Sequence, residues 1–114
     1  TAYCKATNGD LLFSDEFQAW PYGPVISSVY EEYSYFGGRV IENQYNDISN
    51  IFSSISAVVK DFVDDAIRTL RDKYPWDLVQ LSHAKGSPWS LTYNEGEGHK
   101  APISNNLIRQ SALA

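Results

Sequence analysis

The sequence predicts an all-α fold of about five helices, with at most a short β-hairpin near residues 11–20. Three observations carry this. Two segments, 25–36 and 59–70, repeat apolar residues at spacings of three and four. Serines and prolines that suit helix starts stand at Pro24, Ser54 or Ser56, Ser87-Pro88 and Ser104. Neither βαβ alternation nor an internal repeat is present, so nothing in the pattern founds a sheet.

Residues 1–7 carry Tyr3, Cys4 and Ala6 without an N-cap and stop at Asn8-Gly9, which reads as the tail of a helix that begins upstream. Leu11-Leu12-Phe13 and Glu16–Trp20 are short apolar pieces, extended or forming a tight hairpin around Ser14-Asp15. In Trp20-Pro21-Tyr22-Gly23-Pro24 the prolines fix φ and remove two backbone donors, while Gly23 permits positive φ. A helix is expected to follow, with Pro24 at or near its first position. Val25, Ile26, Val29, Tyr30, Tyr33 and Phe36 give it one apolar face, and Gly37-Gly38 ends it. Arg39-Val40-Ile41 suits a brief extended piece; Asn43, Asn46, Asp47, Ser49 and Asn50 read as loop.

A longer helix starts at Ser54 or Ser56, and its stripe of Val59, Phe62, Val63, Ala66, Ile67 and Leu70 is expected to anchor the core. Lys60, Asp61, Asp64, Asp65, Arg68 and Arg71 take the other side, and Tyr74-Pro75 closes the run. A shorter helix runs from Trp76 to about His83. Ser87 and Pro88 open another turn through Leu91 or Tyr93, residues 94–100 read as a flexible polar loop, and Ser104 caps a final helix within 103–113.

A chain of 114 residues suits one domain around one core, and 43% apolar with 20% charged residues is ordinary for soluble proteins. Its apolar runs are too short for a bilayer and its start does not read as a secretory leader, so a cytoplasmic protein is expected. The net charge of −5 and pI near 4.8, with nine scattered Lys and Arg, argue against nucleic acid as a partner. Arg68, Arg71 and Lys73 lie close together, but Asp61, Asp64, Asp65 and Asp72 offset them. Eight Tyr, five Phe and three Trp supply rings that suit buried anchors and protein interfaces equally. No Met is present, so an initiator or a longer N-terminal segment is expected to precede Thr1.

Chemistry-bearing motifs are sparse. A phosphate loop, paired Cys, HExxH and GxSxG are all missing, and Gly96-Glu97-Gly98 has no strand before it. Asp61, Asp64 and Asp65 read as a solvated helix flank, and neither a metal nor a cofactor is expected. The lone Cys4 excludes an intrachain disulfide and reads as a small buried residue; as a nucleophile it would need His83 or His99 beside it. Ser82, His83 and Asp77 could be assembled into a hydrolase, but no oxyanion hole is readable. A simpler role for His83 is to bond helix-end carbonyls or a nearby Trp or Ser, fixing the turn from Leu81 to Trp89. No enzymatic activity is expected.

Two segments together resemble a known family. Glu16-Phe17-Gln18-Ala19-Trp20-Pro21-Tyr22-Gly23-Pro24-Val25, followed by Val29-Tyr30, is similar to the "F-x-A-W-x-Y-G-P-V … v-Y" signature of the Panacea antitoxin domain, also called SocA-like or phage-associated GepA-like. Leu81-Ser82-His83 through Pro88-Trp89 resembles that family's "L-[ST]-H … P-W" stretch, and Ile103 and Ile108 its closing helix. Two departures stand out: only Thr1-Ala2-Tyr3 matches the end of the family's first helix, and Pro21 replaces a usually polar position.

The resemblance implies one Panacea domain over residues 1–114, lacking its first helix. It further implies a prophage-associated antitoxin of a type II toxin–antitoxin pair that neutralises its cognate toxin by direct protein binding. The acidic charge would complement a basic toxin. The alternative is a phage-associated or proteolytic adaptor that binds a client and hands it to a host protease; a homodimer is compatible with either. Trp20, Tyr22, Gly23, Pro24, Val25, Tyr30, His83 and Trp89 are the candidate residues, as partner contacts or as a fold signature.

Overall fold

The computed structural model describes residues 1–41 and 55–114. The elements are α1 (Ala2–Ala6), β1 (Phe17–Trp20), β2 (Gly23–Val25), α2 (Ser27–Ser34), α3 (Ala57–Leu70), α4 (Pro75–Ser82), α5 (Pro88–Tyr93), a 3-10 turn (Asn94–Gly96), β3 (Pro102–Ile103) and α6 (Asn105–Leu113). The protein is mainly helical with a short hairpin, as the sequence predicts.

Three of the helix starts follow from their serines. The Ser56 hydroxyl accepts from the Val59 N–H, Ser87 from Ser90, and Ser104 from both Asn106 and Leu107. Each satisfies a donor that the first turn of a helix leaves free. Pro75 and Pro88 then fill first-turn positions where no N–H is needed.

The sheet has the order β2-β1-β3, antiparallel throughout, with Trp20 opposite Gly23, Ala19 opposite Pro24 and Phe17 opposite Ile103. The Ala19 N–H donates to the Ala101 carbonyl at 2.9 Å, and the Ala19 carbonyl accepts from Lys100 at 2.7 Å. Both polar groups of Ala19 therefore face the β3 side. Pro24, across from it on edge strand β2, occupies a non-hydrogen-bonded position where its missing donor costs nothing.

Several local expectations are corrected here. The hairpin turns at Pro21-Tyr22, not Ser14-Asp15, because Gly23 takes φ +134 and lets the chain reverse over two residues. Pro24 is accordingly a strand residue, and α2 begins at Ser27. Arg39–Ile41 forms no strand: the Arg39 guanidinium donates to the carbonyls of Phe36 at 3.2 Å and Tyr35 at 3.0 Å, closing the turn after α2. Residues 94–100 are tied down through Lys100 to β1, through Gly98 N–H to the Tyr93 carbonyl at 2.9 Å, and through Asn94 to Glu97 at 2.8 Å. The loop residues Asn43, Asn46, Asp47, Ser49 and Asn50, and the alternative start at Ser54, lie outside the described residues.

Among the described residues, the buried apolar side chains are Cys4, Ala19, Trp89, Ile103, Ile108 and Ala112. Ala19, Trp89, Ile103 and Ile108 cluster together, with Leu11, Phe17 and Tyr93 packed around them. The core thus sits between the sheet, α5 and α6, with α1 against α6. It does not form around the long helix: no residue of α3 is buried. Phe62 meets Tyr3 edge-on at 5.2 Å, while Ile67 stays about half exposed. The α3 stripe instead walls an apolar cleft of about 360 Å³ with Leu12 and Leu78 opposite. No helix among the described residues is long and apolar enough to cross a membrane.

Candidate functional site

The two segments singled out by the sequence meet in space. The Trp89 indole N–H donates to the Trp20 carbonyl at 2.7 Å, joining α5 to the end of β1 across 69 residues. The Trp20 indole N–H in turn donates to the Gln18 side chain at 2.9 Å. His83, which caps the C-terminal end of α4, stacks flat on Trp89, with centroids 3.7 Å apart and planes at 3°. Tyr93 takes the other side at 4.8 Å, so the one buried Trp lies in a His–Trp–Tyr sandwich.

Gly23 closes the same joint from the hairpin. A Cβ there would stand 2.8 Å from the Ser82 hydroxyl, so α4 ends directly against β2. The Ser82 hydroxyl donates to the Val79 carbonyl at 2.8 Å, and the Ser82 carbonyl accepts from the Ser87 hydroxyl at 2.8 Å. Ser87 also caps α5, so one side chain fixes the corner between the two helices and starts the second. The His83 ring contributes stacking, and its buried Nε2 has no hydrogen-bond partner among the described residues.

The candidate residues divide by position. Gly23 and Trp89 are buried, Trp20, Val25 and His83 partly so, while Pro24 is exposed at the edge of the sheet. Tyr22, at the hairpin turn, is 75% exposed, and Tyr30 is 51% exposed, with its ring 4.8 Å from Trp20. The sequence reading missed Gln18, Tyr93 and the part Ser87 plays in bonding the Ser82 carbonyl. Of these, only Ser87 had a signal, in Ser-Pro-Trp.

The groups weighed for catalysis are engaged separately. Asp77 accepts from the Tyr74 N–H at 3.3 Å at the start of α4, and Ser82 and His83 stand at its other end, about 8–9 Å along the axis at 1.5 Å per residue. Asp64 pairs with Lys60 at 3.5 Å and Asp65 with Arg68 at 3.2 Å, both exposed. Cys4 is buried on α1. No group of three His, Cys, Asp or Glu that could hold a metal occurs among the described residues.

The arrangement defines a small helical domain in which a tryptophan-centred joint locks a β-hairpin onto a two-helix corner. The sequence model described as antitoxin SocA-like, Panacea domain, matches residues 2–90, and the chain belongs to that family. Residues beyond the match still complete the fold, since β3 extends the sheet and α6 carries two core side chains. No curated protein and no solved structure matches the chain.

Proposed function

We propose that this chain is the antitoxin of a type II toxin–antitoxin pair, acting in the cytoplasm by binding a cognate protein toxin directly and without catalysis. Beyond family membership, one observation supports it. Among the described residues, Tyr22, Tyr35, Val58, Tyr74, Trp76 and Leu81 are each at least 60% exposed, uncovered apolar surface of the kind that a protein partner buries.

Co-expression with the protein encoded by the adjoining open reading frame tests the proposal. Growth rescue and copurification of a stoichiometric complex are expected. Persistent toxicity with no complex rejects the reading. A pulse-chase of that protein distinguishes the adaptor alternative, which requires its lifetime to shorten when this chain is present.

A further inference from the structure

Asn8-Gly9 is the one Asn-Gly step in the chain, and it stands where α1 ends and is held against α6. Asn8 takes φ +58, a left-handed conformation that asparagine tolerates better than most residues. The Gly9 N–H reaches back to the Cys4 carbonyl at 2.9 Å, and the Gly9 carbonyl accepts from Arg109 Nε of α6 at 3.3 Å. A Cβ on Gly9 would lie 4.0 Å from Leu113 Cδ1 at the end of the same helix. Both polar groups of Gly9 are thus engaged, while the Asn8 side chain is exposed.

An Asn-Gly step is chemically labile because glycine carries no side chain to hinder attack by its own nitrogen. The Gly9 amide loses its proton to solvent and attacks Asn8 Cγ; the new N–Cγ bond closes a succinimide, the Cγ–Nδ2 bond breaks, and Nδ2 leaves as ammonia. Water then opens the ring at either carbonyl, giving aspartate or isoaspartate. The attacking nitrogen is the one whose proton the Cys4 carbonyl holds, so the turn has to open before the reaction starts. Isoaspartate adds a methylene to the backbone between Asn8 and Gly9. It also sets a carboxylate at the C-terminal end of α1, where the helix dipole disfavours negative charge.

We propose that Asn8-Gly9 is a fold-gated deamidation site: intact while α1 is clamped to α6, converted when the clamp opens, and unable to re-form the clamp once it is isoaspartate. The modification therefore records opening of α1 irreversibly. Its consequence falls on Cys4, which is only 2% exposed on α1 and loses its cover when α1 no longer docks. None of this depends on the antitoxin reading.

The test incubates the full chain at mildly alkaline pH, in native buffer and in denaturing urea, and follows conversion at Asn8 by peptide mass spectrometry. Conversion should be about tenfold or more slower in the native chain than in urea. Arg109→Ala removes an exposed side chain from the clamp; circular dichroism should show it folded. It should raise the native rate about twofold or more, leave the urea rate unchanged, and speed hydrogen exchange of the Gly9 amide by the same factor. The isoaspartate chain, separated by its added negative charge, should react with a thiol reagent at Cys4 about tenfold or more faster than the unmodified chain. Equal rates in native buffer and urea, or a native rate indifferent to Arg109→Ala, overturn the gate. An isoaspartate chain that keeps Cys4 shielded overturns the consequence, and absence of conversion at Asn8 even in urea overturns the site itself.

Discussion

Replacing Gly23 with Ala probes the joint at its tightest point. At φ +134 an L side chain is strained by roughly 1–3 kcal/mol. The new Cβ would stand 2.8 Å from the Ser82 hydroxyl and 3.6 Å from its Cβ, so the hydroxyl has to swing away. Doing so releases the Val79 carbonyl that it holds at 2.8 Å, a bond contributing about 0.5–1.5 kcal/mol. The sum is about 2–4 kcal/mol. With unfolding entropy near 2.1 cal/mol/K per residue, a chain of this length loses about 4 °C of Tm per kcal/mol, so a fall of roughly 8–16 °C is expected. Thermal and urea denaturation followed by circular dichroism measure it. Ser82→Ala completes the cycle: the remaining 3.6 Å contact is ordinary, and Gly23→Ala in that background should cost only its backbone part, a coupling of about 1 kcal/mol. Strict additivity, or a Tm loss under about 4 °C, would refute the packing of α4 against the hairpin.

Gly98→Ala should be more damaging than Gly23→Ala, because its Cβ would overlap the Thr92 backbone carbonyl, which no side-chain rotation relieves; a loss above about 3 kcal/mol by urea denaturation is expected. Ser87→Ala removes both the α5 cap and the bond to the Ser82 carbonyl, so it should cost about 2–3 kcal/mol. Ser104→Ala, which removes a cap alone, should cost about 1 kcal/mol, and equal losses would refute the double role of Ser87. His83→Phe keeps an aromatic face on Trp89 and removes a buried nitrogen without a partner, so stability should change by less than about 1 kcal/mol. A loss above about 2 kcal/mol would mean that Nε2 has a partner after all.

What the sequence made legible was local chemistry. Ser56, Ser87 and Ser104 act as caps because a hydroxyl next to a helix start has free N–H groups within reach, whatever the tertiary fold. The hairpin was placed several residues early because turn signals exist at both Ser14-Asp15 and Pro21–Gly23. Only the second closes a strand pair, and β1 is held from its other edge by Ala101 and Lys100, 82 and 81 residues from Ala19. β3 is two residues long and carries no periodicity to detect. The α3 stripe is a genuine apolar face, yet periodicity reports amphipathicity and not what covers it, and this face fronts a cleft. Pairing of the two signature segments was not legible, since no spacing rule brings Trp89 to the Trp20 carbonyl.

The joint and the exposed face separate stability from recognition. Gly23 and Trp89 are buried at the joint, whereas Tyr22 projects to solvent, where substitutions usually shift stability by no more than about 0.5 kcal/mol. A domain stable by about 5 kcal/mol that loses 3 kcal/mol at Gly23 would still be about 97% folded at 25 °C. Gly23→Ala should therefore bind the proposed partner with nearly wild-type affinity while melting well below the wild type, whereas Tyr22→Ala should keep the wild-type Tm. If Gly23→Ala instead loses binding while remaining folded, the partner contacts the joint itself, and the division between scaffold and recognition face fails.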